Sequence, residues 1–204
     1  MITLHCLEYS RAIRLVWLME DMHQPYKLVM YERTEDFLAP QSLAKVHPLG
    51  KSPVIEDADL VLAESATCLR YLIDKFGHDT HRPLTGTRGY LLHEEMLDYV
   101  ESSFAPAAMG LLLPKLQGEE PAQEAHTAMQ KHLDYVAQQL TEDGFLFGDT
   151  ATLADIQFSY LLANLSGMGF LDDAPRVASY WADLQRQPGY LAAVAKAGPM
   201  APLA

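Results

Sequence analysis

Apolar and polar positions switch between two periods along the first 77 residues and then settle into one. Ile2, Leu4 and Cys6 alternate with Thr3 and His5, the two-residue period of a strand. RAIRLVWLME, starting directly after Ser10, is almost wholly apolar and predicts a helix that lies on a sheet and is covered elsewhere as well. Pro25 ends that unit, and YKLVMY, from Tyr26 to Tyr31, predicts a second strand. Residues 34–44 predict a weaker helix interrupted by Pro40. Val54-Ile55 and Leu60-Val61-Leu62 predict two short strands around an Asp57-Ala58-Asp59 turn. A stripe of Cys68 or Leu69, Leu72, Ile73 and Phe76 then has helical spacing, with Gly77 as its C-terminal cap.

The order β-α-β-α-β-β-α predicts parallel crossovers where helices join strands, and an antiparallel hairpin at the edge. HDTHRPLTGT, residues 78–87, is polar, carries Pro and Gly, and predicts a linker. Beyond it the strand period does not return. Residues 90–113 predict a long helix bent near Pro106, and Ala122, Ala125, Met129, Leu133, Val136 and Leu140 recur at helical spacing. Thr152 and Asp155 form a capping box ahead of the apolar IQFSYLLANL. PRVASYWADLQRQPG and YLAAVAKA predict two further helices. The expected organisation is an α/β domain over 1–77, a linker over 78–87 and an all-α helical domain over 88–204.

Composition narrows the class of partner. The chain has 204 residues, of which 49% are hydrophobic, and its formal charge is −12. Such a surface repels nucleic acid and anionic membrane, so neither is an expected partner. No basic start followed by an apolar stretch and no apolar run of bilayer length is present, which predicts a protein that neither enters nor crosses a membrane. Cys6 and Cys68, far apart in sequence, predict free thiols in a reducing cytoplasm. Cys6 continues the Ile2-Leu4 alternation and Cys68 sits on a helical stripe, so both predict buried, inert side chains. His78 and His81 have metal-pair spacing but no third ligand, and no metal site is expected.

Several local features carry chemistry. Pro53 stands at the mouth of a strand, where a residue without an N–H is tolerated, so taken alone it reads as a strand-entry proline. Ser65 alone reads as a helix cap and Glu64 as an acid favoured by the helix dipole. Ser10, before the first helix, reads as a cap or as a hydroxyl donor at a strand–helix turn. Arg11 beside it adds positive charge or is simply exposed.

Taken together in this order, HPLGKSPVI, Glu64-Ser65 opening a helix, the capping box, and Trp181 with RQPG after it resemble the cytosolic glutathione S-transferases over almost the whole chain. YSRAIRLVWLMED is similar to the bacterial and fungal branches, which begin with a strand and an Asn/Tyr-Ser-Arg turn. The resemblance implies a thioredoxin-like N-terminal domain followed by an all-α C-terminal domain. It implies that Pro53 is cis and exposes the Ser52 backbone to the cysteinyl part of glutathione. Glu64 and Ser65 would hold the γ-glutamyl end, with Lys51 or His47 near the glycine carboxylate. Ser10 would donate to the thiolate, and Tyr9 is the alternative hydroxyl. The second substrate, a small hydrophobic electrophile, would lie between the domains. Tyr99, Ser103, Phe104 and Met109 are candidates to line it, although each alone reads as helical core. Glutathione is the implied co-substrate. A homodimer is implied too, formed through the helix from Ala66 to Phe76, where Arg70 would cross to an acid, and the helix opening the second domain. Alternatives on the same scaffold are a glutathione-dependent reductase, isomerase or dehalogenase, or a non-catalytic glutathione-binding regulator.

Overall fold

A computed structural model describes residues 1–77 and 79–202 and divides the chain into two units. The strands are β1 (Ile2–Leu7), β2 (Tyr26–Tyr31), β3 (Val54–Asp57) and β4 (Leu60–Ala63). The helices are α1 (Ile13–Asp21), α2 (Gln41–Ala44), α3 (Ser65–Phe76), α4 (Arg88–Tyr99), α5 (Ala105–Leu116), α6 (Gln123–Gln139), α7 (Leu153–Gly167), α8 (Pro175–Gln185) and α9 (Pro188–Ala197). A 3₁₀ turn, Asp79–His81, lies in the expected linker, while His78 lies outside the described residues.

The first unit holds residues 1–77 together with 186–202. Its sheet has the order β2-β1-β3-β4. β1 and β2 are parallel, as the first crossover predicts, but β3 runs antiparallel to β1. The expected second parallel crossover is therefore corrected. The register supplies the reason: Tyr31 ends β2 opposite Leu7, and Val54 opens β3 opposite His5. The connection begins and finishes at the same end of the sheet, so it never runs back along it. It needs little helix, and α2 is only the four residues after Pro40. In place of helix, residues 34–38 form a turn in which Thr34 Oγ1 accepts from the Leu38 N–H at 3.1 Å.

α1 is buried from Ile13 through Met19, Arg14 included. The sheet covers one flank of such a helix, and α3 and α9 pack on the others. Trp17 is fully buried, donates from Nε1 to Asp21 at 2.7 Å, and meets the Tyr190 ring edge-on at 5.4 Å. Gly189 in α9 comes so close to α1 that a Cβ there would sit 2.0 Å from Asp21 Oδ1 and 2.6 Å from the Trp17 ring. The last helix in sequence thus packs on the first, within the first unit.

A polar row also crosses the sheet. His5 bonds Tyr31 Oη through Nδ1 at 2.8 Å and Glu56 through Nε2 at 2.9 Å, tying three strands together.

In the second unit, residues 79–185, α4 runs into α5 through a π turn, Val100–Phe104. The Ala105 N–H reaches back five residues to the Val100 carbonyl, just before Pro106, which has no N–H to give. A π turn thus stands just before Pro106, where the sequence predicts a bend. α7 is buried nearly all round and carries the buried Asp155 in its first turn. The Asp155 carboxylate accepts from Thr152 N at 2.8 Å, Thr152 Oγ1 at 2.7 Å, Leu146 N at 3.1 Å and Tyr180 Oη at 2.8 Å. Burial pushes this carboxyl above its usual range, while the donated hydrogen bonds pull it back.

Candidate functional site

The pairing of His5 with Val54 and of Val54 with Ala63 puts three chain turns at one end of the sheet. They are the β1–α1 turn after Leu7, the Ser52–Pro53 step before β3, and the Glu64–Ser65 step after β4. The Ser52–Pro53 peptide is cis. Ser52 Oγ donates to the His5 carbonyl at 2.9 Å and accepts from the Leu7 N–H at 3.0 Å. The side chain thereby substitutes for ladder hydrogen bonds where β3 has not yet begun, and staples the proline loop to β1.

Ser10 lies beside it, 6% exposed. α1 begins only at Ile13, so Ser10 is not the cap that its place in the sequence predicts. Its Oγ accepts from the Ala12 N–H at 3.2 Å, and its O–H reaches toward Ser52 Oγ at 3.5 Å. The second contact is at the limit of a hydrogen bond. Tyr9 is left-handed at φ 50°, and its ring stacks on Phe37 at 6.0 Å.

Glu64 precedes α3 with φ 70° and ψ 121°, a costly conformation for a residue with a Cβ. Its side chain is exposed and makes no cap bond to the first turn. Ser65 is buried at the first position of this twelve-residue helix. The Glu64 side chain therefore does not cover the positive end of α3. Pro53 is buried, Lys51 is exposed, and His47 is half-buried in a turn closed by the Gly50 N–H on its carbonyl at 2.8 Å. Gly50 takes φ +60° there, which suits a residue without a side chain.

Cys6 and Cys68 are free and fully buried, and burial pushes each thiol up to about 12. Neither forms thiolate near neutrality. Among the described residues no group of three His, Cys, Asp or Glu is placed to hold a metal, and no helix is long and apolar enough to cross a membrane.

Of the residues expected to line a second pocket, Phe104 is corrected. It is fully buried in the second unit, edge-on to Phe158 at 5.1 Å and 6.3 Å from Tyr99. Phe104 is four residues from the buried Val100 and Ala108, so it shares the helix face turned into the core. Tyr99 is half-buried and bonded to His132 Nδ1 at 2.5 Å, and burial pushes its phenol up. Ser103 and Met109 are half-buried.

Sequence reasoning missed Arg33, which stands just past β2 and donates to the carbonyls of Glu8, Tyr9 and Phe37. Nothing in its neighbourhood along the chain distinguishes it from a solvated arginine.

Comparison with known proteins agrees with the fold. Residues 1–74 match the glutathione S-transferase N-terminal domain, and residues 95–193 match its C-terminal domain. Glutathione S-transferase 1 of Saccharomyces cerevisiae is 27% identical over 96% of this chain and 95% of its own. Glutathione S-transferase F13 of Arabidopsis thaliana is 29% identical over 80% of this chain and 86% of its own. The crystal structure of a glutathione S-transferase from Actinobacillus pleuropneumoniae superposes with a TM-score of 0.86 at 31% identity, covering 100% of this chain and 95% of that one. With both domains matched in order and the end-of-sheet turns in place, the chain belongs to the glutathione S-transferase family.

Proposed function

We propose that the protein conjugates the glutathione thiolate to small hydrophobic electrophiles, with Ser10 as the donor to the sulfur. The observation that carries this reading is the Ser10 hydroxyl: buried, its acceptor side filled by the Ala12 N–H, its own proton engaged only by a 3.5 Å contact. A thiol like that of free cysteine, with pKa ~8.5, is mostly protonated at neutral pH, and the thiolate is the nucleophile. A donated O–H lowers the energy of the anion and leaves the serine itself unchanged. The thiolate then attacks the electrophilic carbon. The thiol proton having gone to solvent, the sulfur electron pair forms the C–S bond; the leaving group departs with the pair of its broken bond, or, in an addition, the π pair of the acceptor is displaced and takes up a proton.

The tripeptide would be held at its ends and its middle. The Glu64 carboxylate faces the γ-glutamyl ammonium, while Ser65 and the positive end of α3 take the α-carboxylate. The Ser52 backbone pairs with the cysteinyl unit, and His47 or Lys51 meets the glycine carboxylate. Tyr99, Ser103 and Met109 remain the candidates to touch the electrophile. The free, buried cysteines fit a reducing cytoplasm as the place of action.

The test is a titration with glutathione followed by a panel of electrophiles and disulfides. Saturable binding with turnover of electrophiles supports the proposal; no binding at millimolar glutathione removes it, and turnover confined to disulfides assigns the site to thiol exchange. Within that test, Glu64→Gln combined with Ser65→Ala should weaken glutathione affinity by at least ~10-fold, since one charge-assisted hydrogen bond contributes ~1.5–3 kcal/mol. Turnover at saturation should hardly change. Wild-type affinity in the double variant would overturn the γ-glutamyl assignment.

We also propose a homodimer that uses α3, with Arg70 reaching an acidic partner residue, and α4, where Leu91 and Leu92 are exposed. Sedimentation should give twice 22.8 kDa at micromolar concentration, and a monomer would contradict it.

A further inference from the structure

Two bulky aromatic residues at the end of the sheet adopt left-handed backbone: Tyr9 at φ 50° in the β1–α1 turn and Phe37 at φ 61° in the β2–α2 connection. Such conformations are outliers for large side chains and persist only where the surroundings hold them. One side chain holds both. Arg33 donates from Nη2 to the Tyr9 carbonyl at 3.0 Å, from Nη1 to the Phe37 carbonyl at 2.9 Å and from Nε to the Glu8 carbonyl at 3.1 Å. Its backbone N–H donates to Glu8 Oε1 at 2.8 Å. The guanidinium lies over the Phe37 ring at 4.5 Å, and that ring stacks on Tyr9. Phe37 is 49% exposed, so the stack is not held in place by a surrounding core.

We propose that Arg33 is a positioning residue for the reaction, fixing the peptide that carries Ser10. This rests on the reading of Ser10 as the donor to the thiolate. The Tyr9 carbonyl belongs to the planar peptide whose nitrogen is that of Ser10, so pinning the oxygen sets the plane from which the Ser10 side chain departs. The guanidinium is a rigid fork, and three acceptors on two loops occupy it in one geometry. A lysine would offer the same charge without that fork. With the turn released, Tyr9 is free to leave the left-handed region, and the hydroxyl moves with it. A displacement of about 1 Å can cost ~100-fold in rate.

The test measures the thiolate absorbance of the glutathione complex against pH, with kcat, KM and melting temperature, in wild type, Ser10→Ala, Arg33→Gln and Arg33→Lys. Arg33→Gln should raise the pKa of the bound thiol and lower kcat at neutral pH by ~10-fold or more, with KM for glutathione nearly unchanged. Arg33→Lys should recover part of both. If Arg33→Gln does not fold, Arg33→Lys and Phe37→Leu carry the test, each with a smaller shift in the same direction. A merely structural arginine would lower the melting temperature and leave the thiol pKa and pH profile of the folded protein at their wild-type values, and that result overturns the proposal. If Ser10→Ala moves the thiol pKa and no Arg33 variant does, this inference alone falls. If Ser10→Ala moves nothing, the reading of Ser10 falls and takes this one with it.

Discussion

Replacing Ser10 by alanine is expected to raise the pKa of bound glutathione by about 1–2 units, because a hydrogen bond to a charged acceptor contributes ~1.5–3 kcal/mol and each unit corresponds to ~1.4 kcal/mol. The thiolate fraction near pH 7 should fall with it, and turnover by roughly 10-fold or more. The sign follows from which form the hydroxyl favours: it stabilises the anion, so its loss matters most below the new pKa. Activity should therefore recover as pH rises and the thiol ionises without help. Affinity for glutathione should stay close to wild type, since Glu64, Ser65 and the Ser52 backbone are untouched. Tyr9→Phe and Cys6→Ala should do little, the first because its ring lies against Phe37, the second because its thiol is buried and held protonated. A rate and thiol pKa unmoved in Ser10→Ala, with both moved in Tyr9→Phe, would transfer the role to tyrosine.

The largest expected effect on stability comes from Asp155→Ala in the second unit. Four donors converge on that carboxylate, and two of them are backbone N–H groups that cannot turn elsewhere. One buried donor left without a partner costs ~1–3 kcal/mol, so the substitution should cost on the order of 3–5 kcal/mol. That is a large share of a net stability of ~5–15 kcal/mol. At ~2–4 °C per kcal/mol for a chain of this size, the melting temperature should drop by about 10 °C. Asp155→Asn should also be destabilising, because its amide NH₂ must face donors at one of the two oxygen positions. Melting within about 2 °C of wild type for Asp155→Ala would show that the four bonds contribute little net energy.

These two positions differ in how they could be read from the chain alone. Asp155 follows Thr152 by three residues ahead of an apolar run, a spacing with direct physical meaning, and the capping box forms as expected. The strand ends beside Ser10, Pro53, Glu64 and Ser65 were legible because short apolar runs fix where strands stop. Strand direction was not legible. The two-residue period is the same forward and backward, so the reversal of β3 shows only in the pairing of Val54 with His5. The left-handed backbone of Tyr9, Phe37 and Glu64 was hidden for a similar reason, since none is the glycine that normally signals it. Arg33 was invisible because its role depends on the carbonyls of those residues. Phe104 carried the right residue type for a pocket wall, yet it shares the buried helix face of Val100 and Ala108. The placement of α9 had one usable trace. A helix as apolar as α1 needs more cover than a single sheet face supplies, and α9 provides it.

That last packing has a consequence for how the protein is made and divided. A ribosome releases residues 1–77 first, yet the unit they build includes Gly189 and Tyr190 pressed against Trp17. At ~5–20 residues per second, the remainder of the chain takes several seconds to emerge, and until then one flank of α1 lacks its permanent cover. The unit begun first is completed last. A fragment cut at the linker therefore exposes the groove that α9 fills, and a chimera that exchanges N-terminal units between relatives must exchange the matching final helix as well.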